Sequence, residues 1–469
     1  MKYRIISSLI IIILFASGVY AWTYTTPPAS LLDSSGFKFG NTWISSTSLI
    51  TDSATINLIN GKNATYSCDY TYCVRNESGT YIAINGIDGT VEISNSSDAA
   101  PVINYVLEGS NRTIYIFPGT YLITSRQKLS GTGYIEIAYS DISIHADGVR
   151  FDILYTSDAV LQRGVEISSD KNNITIYGLY IRGNGICGTS TCYGLRSYGG
   201  SNVVFSGVVV ENVKGFQITI ESVVGEGGNN ILLENCRLSG VGTNDVLGGG
   251  SLVRNMTVRN CYITQSLISG SYENAIDLVN ISNLLIDDNI VIGGLVIGNE
   301  EGASQDVIIR DNDIYPAVLS AIGRIDFVTS LDENERFTID NNRIHEGRFA
   351  DIHGRNFTIT NNKVIDQIAN NDFYVNKSII TGNSFTGLVN NQYNNNLWTL
   401  NNFVSFADYG SSNSVIQNIN KAPYNHGNVA TAPTAFGAGD TYFDTDINKQ
   451  CFYNSTGWAQ IDDSVTACA

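Results

Sequence analysis

Between Asn173 and Val404 one pattern of apolar and polar positions recurs about ten times. A polar residue is followed by an apolar one, any residue and a second apolar one. Two more residues come next, then a seventh position, with an apolar residue two later. The copies read N-I-T-I-Y-G-L-Y-I from Asn173, N-M-T-V-R-N-C-Y-I from Asn255, R-F-T-I-D-N-N-R-I from Arg336 and N-L-W-T-L-N-N-F-V from Asn396. Alternation of this kind belongs to a strand with one buried face. The break after the second apolar residue predicts a turn into another short strand. The seventh positions are Leu179, Val208, Cys236, Cys261, Asn289, Asn312, Asn342, Asn362, Asn383 and Asn402, spaced 19 to 30 residues apart. No Ala- and Leu-rich face of helical period accompanies them. Coils of that length with two or three short strands predict a parallel β-helix, in which each coil buries its face only against its neighbours.

The run of Asn from Asn289 to Asn402 sharpens this reading. Asn tolerates a left-handed backbone and can turn the chain between strands. Stacked at about 4.8 Å, such amides hydrogen-bond along the column. In this respect residues 80–405 resemble the right-handed β-helix proteins of the pectate-lyase-like superfamily, which carry such an asparagine ladder. The segment from Tyr81 supports the resemblance. It holds Asp-Gly-Thr, then a helical face (Val102, Ile103, Val106, Leu107) with Asp98 as N-cap and Pro101 in the first turn, then T-I-Y-I-F-P-G-T-Y-L-I at Thr113–Ile123. In that superfamily the helix covers the open first coil. The expected class is therefore all-β: a right-handed single-stranded parallel β-helix with a capping helix at about 98–108 and a small C-terminal β module.

The flanking text divides as follows. Residues 1–21 read as a signal peptide, with Lys2 and Arg4 before an apolar run and Val19-Tyr20-Ala21 as the cleavage site. Residues 22–79 read as an N-terminal β extension, and 406–429 as a connector. Residues 430–469 read as a β module in which Thr441–Phe443 and Gln450–Tyr453 flank a turn. The module resembles small Gly-Asp-x-Tyr…Tyr-Asn…Gly-Trp units at the ends of viral fibre and cell-surface proteins, which implies attachment or capping. No second long apolar run follows the leader, so no membrane span is expected after cleavage.

The formal charge is −17; residues 1–21 hold two bases and no acid, so the processed chain would carry −17 − 2 = −19. That argues against nucleic acid as a partner, and against a strongly polyanionic substrate unless a cation such as Ca²⁺ bridges the two. Eight cysteines suit an oxidising compartment. Cys68 with Cys73, Cys187 with Cys192, and Cys451 with Cys468 are candidate disulfides. Cys236 and Cys261 share a column in adjacent coils, within disulfide reach, or stay as two stacked thiols. Ten Asn-x-Ser/Thr sequons would mark exposed positions of a secreted glycoprotein.

Candidate chemistry lies on the strand just ahead of each repeat. Its outward residues are Glu166, Arg196, Thr219, Glu221, Asp277, Arg324, Asp326, Asp351, His353, Asp372 and Tyr374. Stacked, they would form one polar stripe. Carboxylates from neighbouring coils suit glycoside hydrolysis, and carboxylates beside Arg suit a Ca²⁺-assisted lyase. On this reading Asp277, Asp326, Asp351 and His353 are the catalytic candidates. Arg324, Asp372, Tyr374, Arg196 and Glu221 are the substrate-binding ones. A solvated outer face with plain ion pairs, or plain glycan binding, accounts for the same residues. The resemblance weakens the catalytic reading. β-Helix polygalacturonases carry Gly-His-Gly and Arg-Ile-Lys, which this chain lacks, and Asp287-Asp288 precedes a ladder Asn, as turn chemistry would. Two classes remain: a secreted carbohydrate-active protein binding or cleaving a polysaccharide, and a non-enzymatic surface protein with a C-terminal attachment module.

Overall fold

The structure is a computed structural model. It describes residues 68–126, 133–157, 161–187, 191–221, 228–241, 244–250, 252–266, 274–298, 302–316, 334–367 and 370–420, and strand backbones between 32 and 67, at 323–327 and between 425 and 467. The signal-peptide reading, Cys468, Asn63 and Asn454 lie outside the described residues. The chain divides into two units, 1–69 with 84–90, and 70–83 with 91–469. In the first, Gly36–Phe39 pairs antiparallel with Leu32–Asp33 and Thr42–Ile44, and Thr55–Asn57 pairs with Thr65–Ser67.

In the second unit every strand of the array pairs in parallel with the strand one coil later. Three sheets result. Sheet I holds the strands ahead of the repeats, such as Gln162–Ile167, Cys192–Tyr198 and Phe216–Glu221. Sheet II holds the first half of each repeat, such as Asn172–Tyr177, Ser201–Ser206 and Asn229–Glu234. Sheet III holds the second half, such as Tyr180–Arg182 and Val209–Glu211. The apolar residues that alternate in sequence point inward and stack by type. Ile174, Val203, Ile231, Met256, Leu284, Val307 and Phe337 form one continuous column, each at most 1% exposed.

The corners differ from the sequence expectation. The seventh-position Asn is not the left-handed residue. The sixth position takes that role, at Gly178, Gly207, Asn235, Asn260, Asp288, Asp311, Asn341, Asn361 and Gly382, with φ between 51 and 68°. Gly, Asn and Asp tolerate this backbone best. The seventh residue therefore points inward, and its buried amide closes a ladder. Nδ2 of Asn289, Asn312, Asn342, Asn362, Asn383 and Asn401 each donates to Oδ1 one coil later, at 2.9–3.1 Å, ending on Asn418. The last copy thus begins at Asn395, one residue earlier than the sequence pattern suggests, because Leu397 pairs with Ile379. Asn401, not Asn402, is the rung.

Helix α1, Ala100–Leu107, buries Val102, Ile103, Val106 and Leu107. Its N-cap is Ala99; Asp98 instead receives the N–H of Ala100 and of Thr124, both at 3.0 Å. Asn104 of α1 donates to Tyr134 O and accepts from Glu136 N, both at 2.8 Å. It thereby satisfies the edge of Gly133–Ile137, the first strand of sheet I, as a neighbouring strand would. At the far end Thr441–Asp444, Lys449–Tyr453, Trp458–Gln460 and Asp463–Ala467 form an antiparallel meander.

Candidate functional site

The outer face of sheet I carries one connected charged cluster. The column Glu136, Glu166, Arg196, Thr219 runs across four coils in register. Arg196 reaches Glu166 at 3.4 Å and forms a hydrogen-bonded ion pair with Glu221. Arg163 joins Glu166 from the other side at 2.5 Å. Rings frame the guanidinium of Arg196, with Tyr198 at 4.4 Å and Tyr193 at 5.4 Å, and Tyr193 stacks on Phe216 at 5.5 Å. Glu166 is 3% exposed and Arg196 7%. Charged groups this buried are costly unless paired and hydrogen-bonded, and the contacts with Arg163 and Arg196 supply both. Burial, then the Glu221 carboxylate, pushes the Tyr193 hydroxyl above its ordinary value.

Sequence reasoning missed Arg163, Tyr193 and Phe216, because strict alternation puts them on the same face as Val165, Leu195 and Ile218. The strand is irregular there. Gly164 and Gly194 sit where a Cβ would come within 2.5 Å of Gly194 O and of Val210 Cγ1, respectively. The backbone closes in at these glycines, and the residue before each turns outward. The signal in the text is R-G-V-E at Arg163 and Y-G-L-R at Tyr193.

The predicted acids of the later coils do not converge. Asp277 is half-buried and receives Asn274 Nδ2 at 3.3 Å. It shares a column with Asp326, but Val296 lies between them, which puts their strands two spacings, about 10 Å, apart. Arg324 stands opposite Arg348, and Asp326 opposite Ala350. Asp351 is an inserted residue at the register break between Asp326 and Phe327, left-handed at φ 50° and exposed. This insertion shifts the parity of the strand and takes Asp351 out of the stripe.

His353 and Tyr374 do meet, stacked at 4.3 Å and 4°. Burial holds the His353 imidazole below its ordinary value, against the pull of Asp351. Burial, then Asp372, pushes the Tyr374 hydroxyl up. Asp372 accepts from Asn390 Nδ2 at 2.7 Å and lies 3.9 Å from Arg348. Among the described residues no group of three or more His, Cys, Asp and Glu side chains is placed to hold a metal ion.

Of the cysteine pairs, Cys187–Cys192 is a disulfide, and Cys68, Cys73 and Cys451 are each disulfide-bonded. Cys236 and Cys261 are free, buried thiols, the second of the two alternatives for that pair. Cys236 N–H points to Cys261 Sγ at 3.4 Å, and the hydrogen bond between the two side chains, then burial, pushes the Cys236 thiol up. No described helix is long and apolar enough to cross a membrane.

No protein-family model and no curated protein sequence matches the chain. Solved structures do. The A-module of a mannuronan C-5 epimerase of Azotobacter vinelandii is similar at 15% identity and TM-score 0.50, over 70% of this chain and 96% of that one. A surface adhesin of Streptococcus pneumoniae is similar at 12% identity and TM-score 0.45, over 79% and 95%. The tailspike protein of E. coli bacteriophage HK620 is similar at 18% identity and TM-score 0.42, over 70% and 64%. Three parallel sheets wound coil by coil, an internal asparagine ladder and the agreement with the epimerase module make the fold a right-handed parallel β-helix, as the resemblance in the sequence implied.

Proposed function

We propose that the protein binds a polysaccharide chain along the outer face of sheet I, centred on Arg196. The observation that carries this reading is the set Glu166, Arg196 and Glu221 beneath Tyr193 and Tyr198. Buried Glu166 and Arg196 fix Glu221, which is partly exposed and presents an ordered acceptor to sugar hydroxyls. Adjacent rings present apolar surface to the C–H faces of a pyranose. The formal charge of −17 favours a neutral glycan, or an acidic one bridged by a cation such as Ca²⁺. The same fold serves a mannuronan C-5 epimerase, so a polysaccharide is an occupant this architecture can accommodate.

Binding, rather than cleavage, is the reading we adopt. Asp277, Asp326 and the strand that carries both Asp351 and His353 belong to three different coils, and Asp351 is turned out of the stripe by the register break. If bond cleavage occurs, Glu221 is the acid of this cluster within reach of an occupant, because Glu166 is buried under its ion pairs. The protein is then secreted, its first 21 residues acting as leader. Its antiparallel end at 441–467 serves attachment at a cell or particle surface.

A glycan array with pectins, alginates and neutral polysaccharides, run with and without Ca²⁺, tests the reading. Wild-type protein should retain at least one glycan, and Tyr198→Ala should release it. Equal retention by Tyr198→Ala, or no retention at all, overturns the proposal. Product analysis on the retained glycan separates binding from lyase or hydrolase action.

A further inference from the structure

The outer face of sheet II holds a second ladder, at the first position of the repeat. Asn173, Asn202, Asn230, Asn255 and Asn283 all take left-handed backbone, φ 53–58°. Asn173 Nδ2 donates to Asp141 Oδ1 at 2.7 Å. Each later Asn donates to Oδ1 of the one before, at 2.9, 2.9, 3.1 and 3.0 Å. The next rung is Asp306, directly opposite Asn283 in register. A carboxylate has no N–H to give. Asp306 is instead held by Arg336, with Nε at 2.6 Å and Nη2 at 2.8 Å. Asn283 Oδ1 and the Asp306 carboxylate are therefore successive acceptors in the column, and among the described residues no donor bridges them.

At the same step the surface opens into a groove of about 550 Å³. Asn283, Asp306 and Arg336 form its polar wall, and Leu285, Ile308 and Thr257 its floor. Ile308 is 40% exposed there. An occupant must supply hydrogen-bond donors to the acceptor pair and C–H surface to the aliphatic floor. The Arg336 guanidinium disfavours a cationic group. Asp306 and the acidic chain disfavour an anionic one. Neutral vicinal hydroxyls on a pyranose meet both demands.

We propose that this groove is a second binding site, separate from sheet I, for a neutral oligosaccharide. Hydrogen–deuterium exchange on the full-length protein tests it, with cellohexaose, mannohexaose and laminarihexaose as probes and hexagalacturonate and hexalysine as charged comparisons. At least one neutral hexaose should protect 281–287 and 305–310, and neither charged probe should. Asp306→Asn supplies the missing amide, which can donate to Asn283 Oδ1 and complete the ladder. It should lower affinity for the neutral hexaose at least tenfold while the thermal midpoint holds or rises, a combination that a merely structural Asp306 would not give. Protection by hexalysine or hexagalacturonate instead, unchanged affinity in Asp306→Asn, or no protection at 281–310 would each overturn the proposal. Protection confined to 192–221 would refute this groove and leave the sheet I reading standing.

Discussion

Asn342 Nδ2 donates to Asn362 Oδ1 at 2.9 Å, while Asn342 Oδ1 receives both the backbone N–H and the side-chain amide of Asn312, at 3.1 and 2.9 Å. One buried side chain thus joins three coils. Asn342→Ala would strand the buried Asn312 N–H, remove one acceptor from the Asn312 amide, and take the Nδ2 donor from Ile309 O and Asp340 O. At about 1–3 kcal/mol for each unsatisfied group, the loss should be on the order of 3 kcal/mol or more. Asn342→Asp should be worse, because it sets a buried carboxylate oxygen against Ile309 O and Asp340 O, which Nδ2 now reaches at 2.9 and 3.0 Å, where alanine sets none. Urea unfolding midpoints of the two variants check the order.

Arg196 and Glu166 make a different kind of buried pair. Removing one member leaves an uncompensated charge, which costs about 3–5 kcal/mol. Arg196→Ala should be destabilised by that amount. Arg196→Met combined with Glu166→Gln removes both charges and should return to within about 2 kcal/mol of wild type. A double-mutant cycle by chemical denaturation measures the coupling. Additive losses would show that Arg163 alone suffices to hold Glu166.

Much of this was legible in the text, and the exceptions have physical causes. Periodicity found the coils because each inward position meets its own kind one coil away, as Ile174 meets Val203. The outer polar stripe was found as a set of positions but not as a site. A single extra residue, Asp351, or a close backbone approach, as at Gly164, reverses which face a side chain takes. Such irregularities leave only a glycine or a shifted count in the sequence. The first-position ladder was written in every copy from Asn173 to Asn283. The seventh-position Asn column hides it, because Asn there accounts equally well for a turn. Yet the left-handed corners fall at positions one and six, and the seventh position carries the buried amides.

Trp398 is fully buried, packs against Phe406 at 4.7 Å and Phe373 at 5.4 Å, and its indole N–H has no hydrogen-bond partner among the described residues. Its contribution is therefore packing, offset by a stranded donor. Trp398→Phe removes that donor with a modest change in volume and should lie within about 1.5 kcal/mol of wild type. Trp398→Ala opens a cavity and should lose about 3–5 kcal/mol. Thermal melts of both, beside Phe406→Ala, separate packing from polarity.

Burial raises the Asp408 carboxyl above its ordinary value, against donors from Asn391, Gly410 and Asn413 at 2.8, 3.0 and 2.8 Å. A folded-state pKa above the unfolded one means that the folded protein holds this proton more tightly. Its contribution is fully present below the unfolded pKa and is lost as pH rises through the folded one. Asp408→Asn keeps an oxygen acceptor for all three donors and has nothing to ionise. It should stabilise the protein at neutral pH and flatten the stability profile across the window between the two pKa values. Midpoints measured from pH 3 to 7 check this, and an unchanged slope would contradict it.

The internal ladder begins where the thiol column ends. Cys261 N–H already donates to Asn289 Oδ1 at 2.9 Å, and Cys261 Sγ already receives Cys236 N–H and lies 3.8 Å from Leu233 O. Those are the contacts that each later Asn makes through its backbone N–H, its Oδ1 and its Nδ2. Cys261→Asn should therefore extend the ladder by one rung, with stability unchanged or raised by about 1 kcal/mol for the added hydrogen bonds. Cys236→Asn should do worse, because the side chain in the next coil is then a thiol, a weak acceptor, rather than an amide oxygen. Equilibrium unfolding should order them as Cys261→Asn, wild type, Cys236→Asn. The reverse order would mean that the stacked thiols contribute through sulfur packing rather than by standing in for a rung.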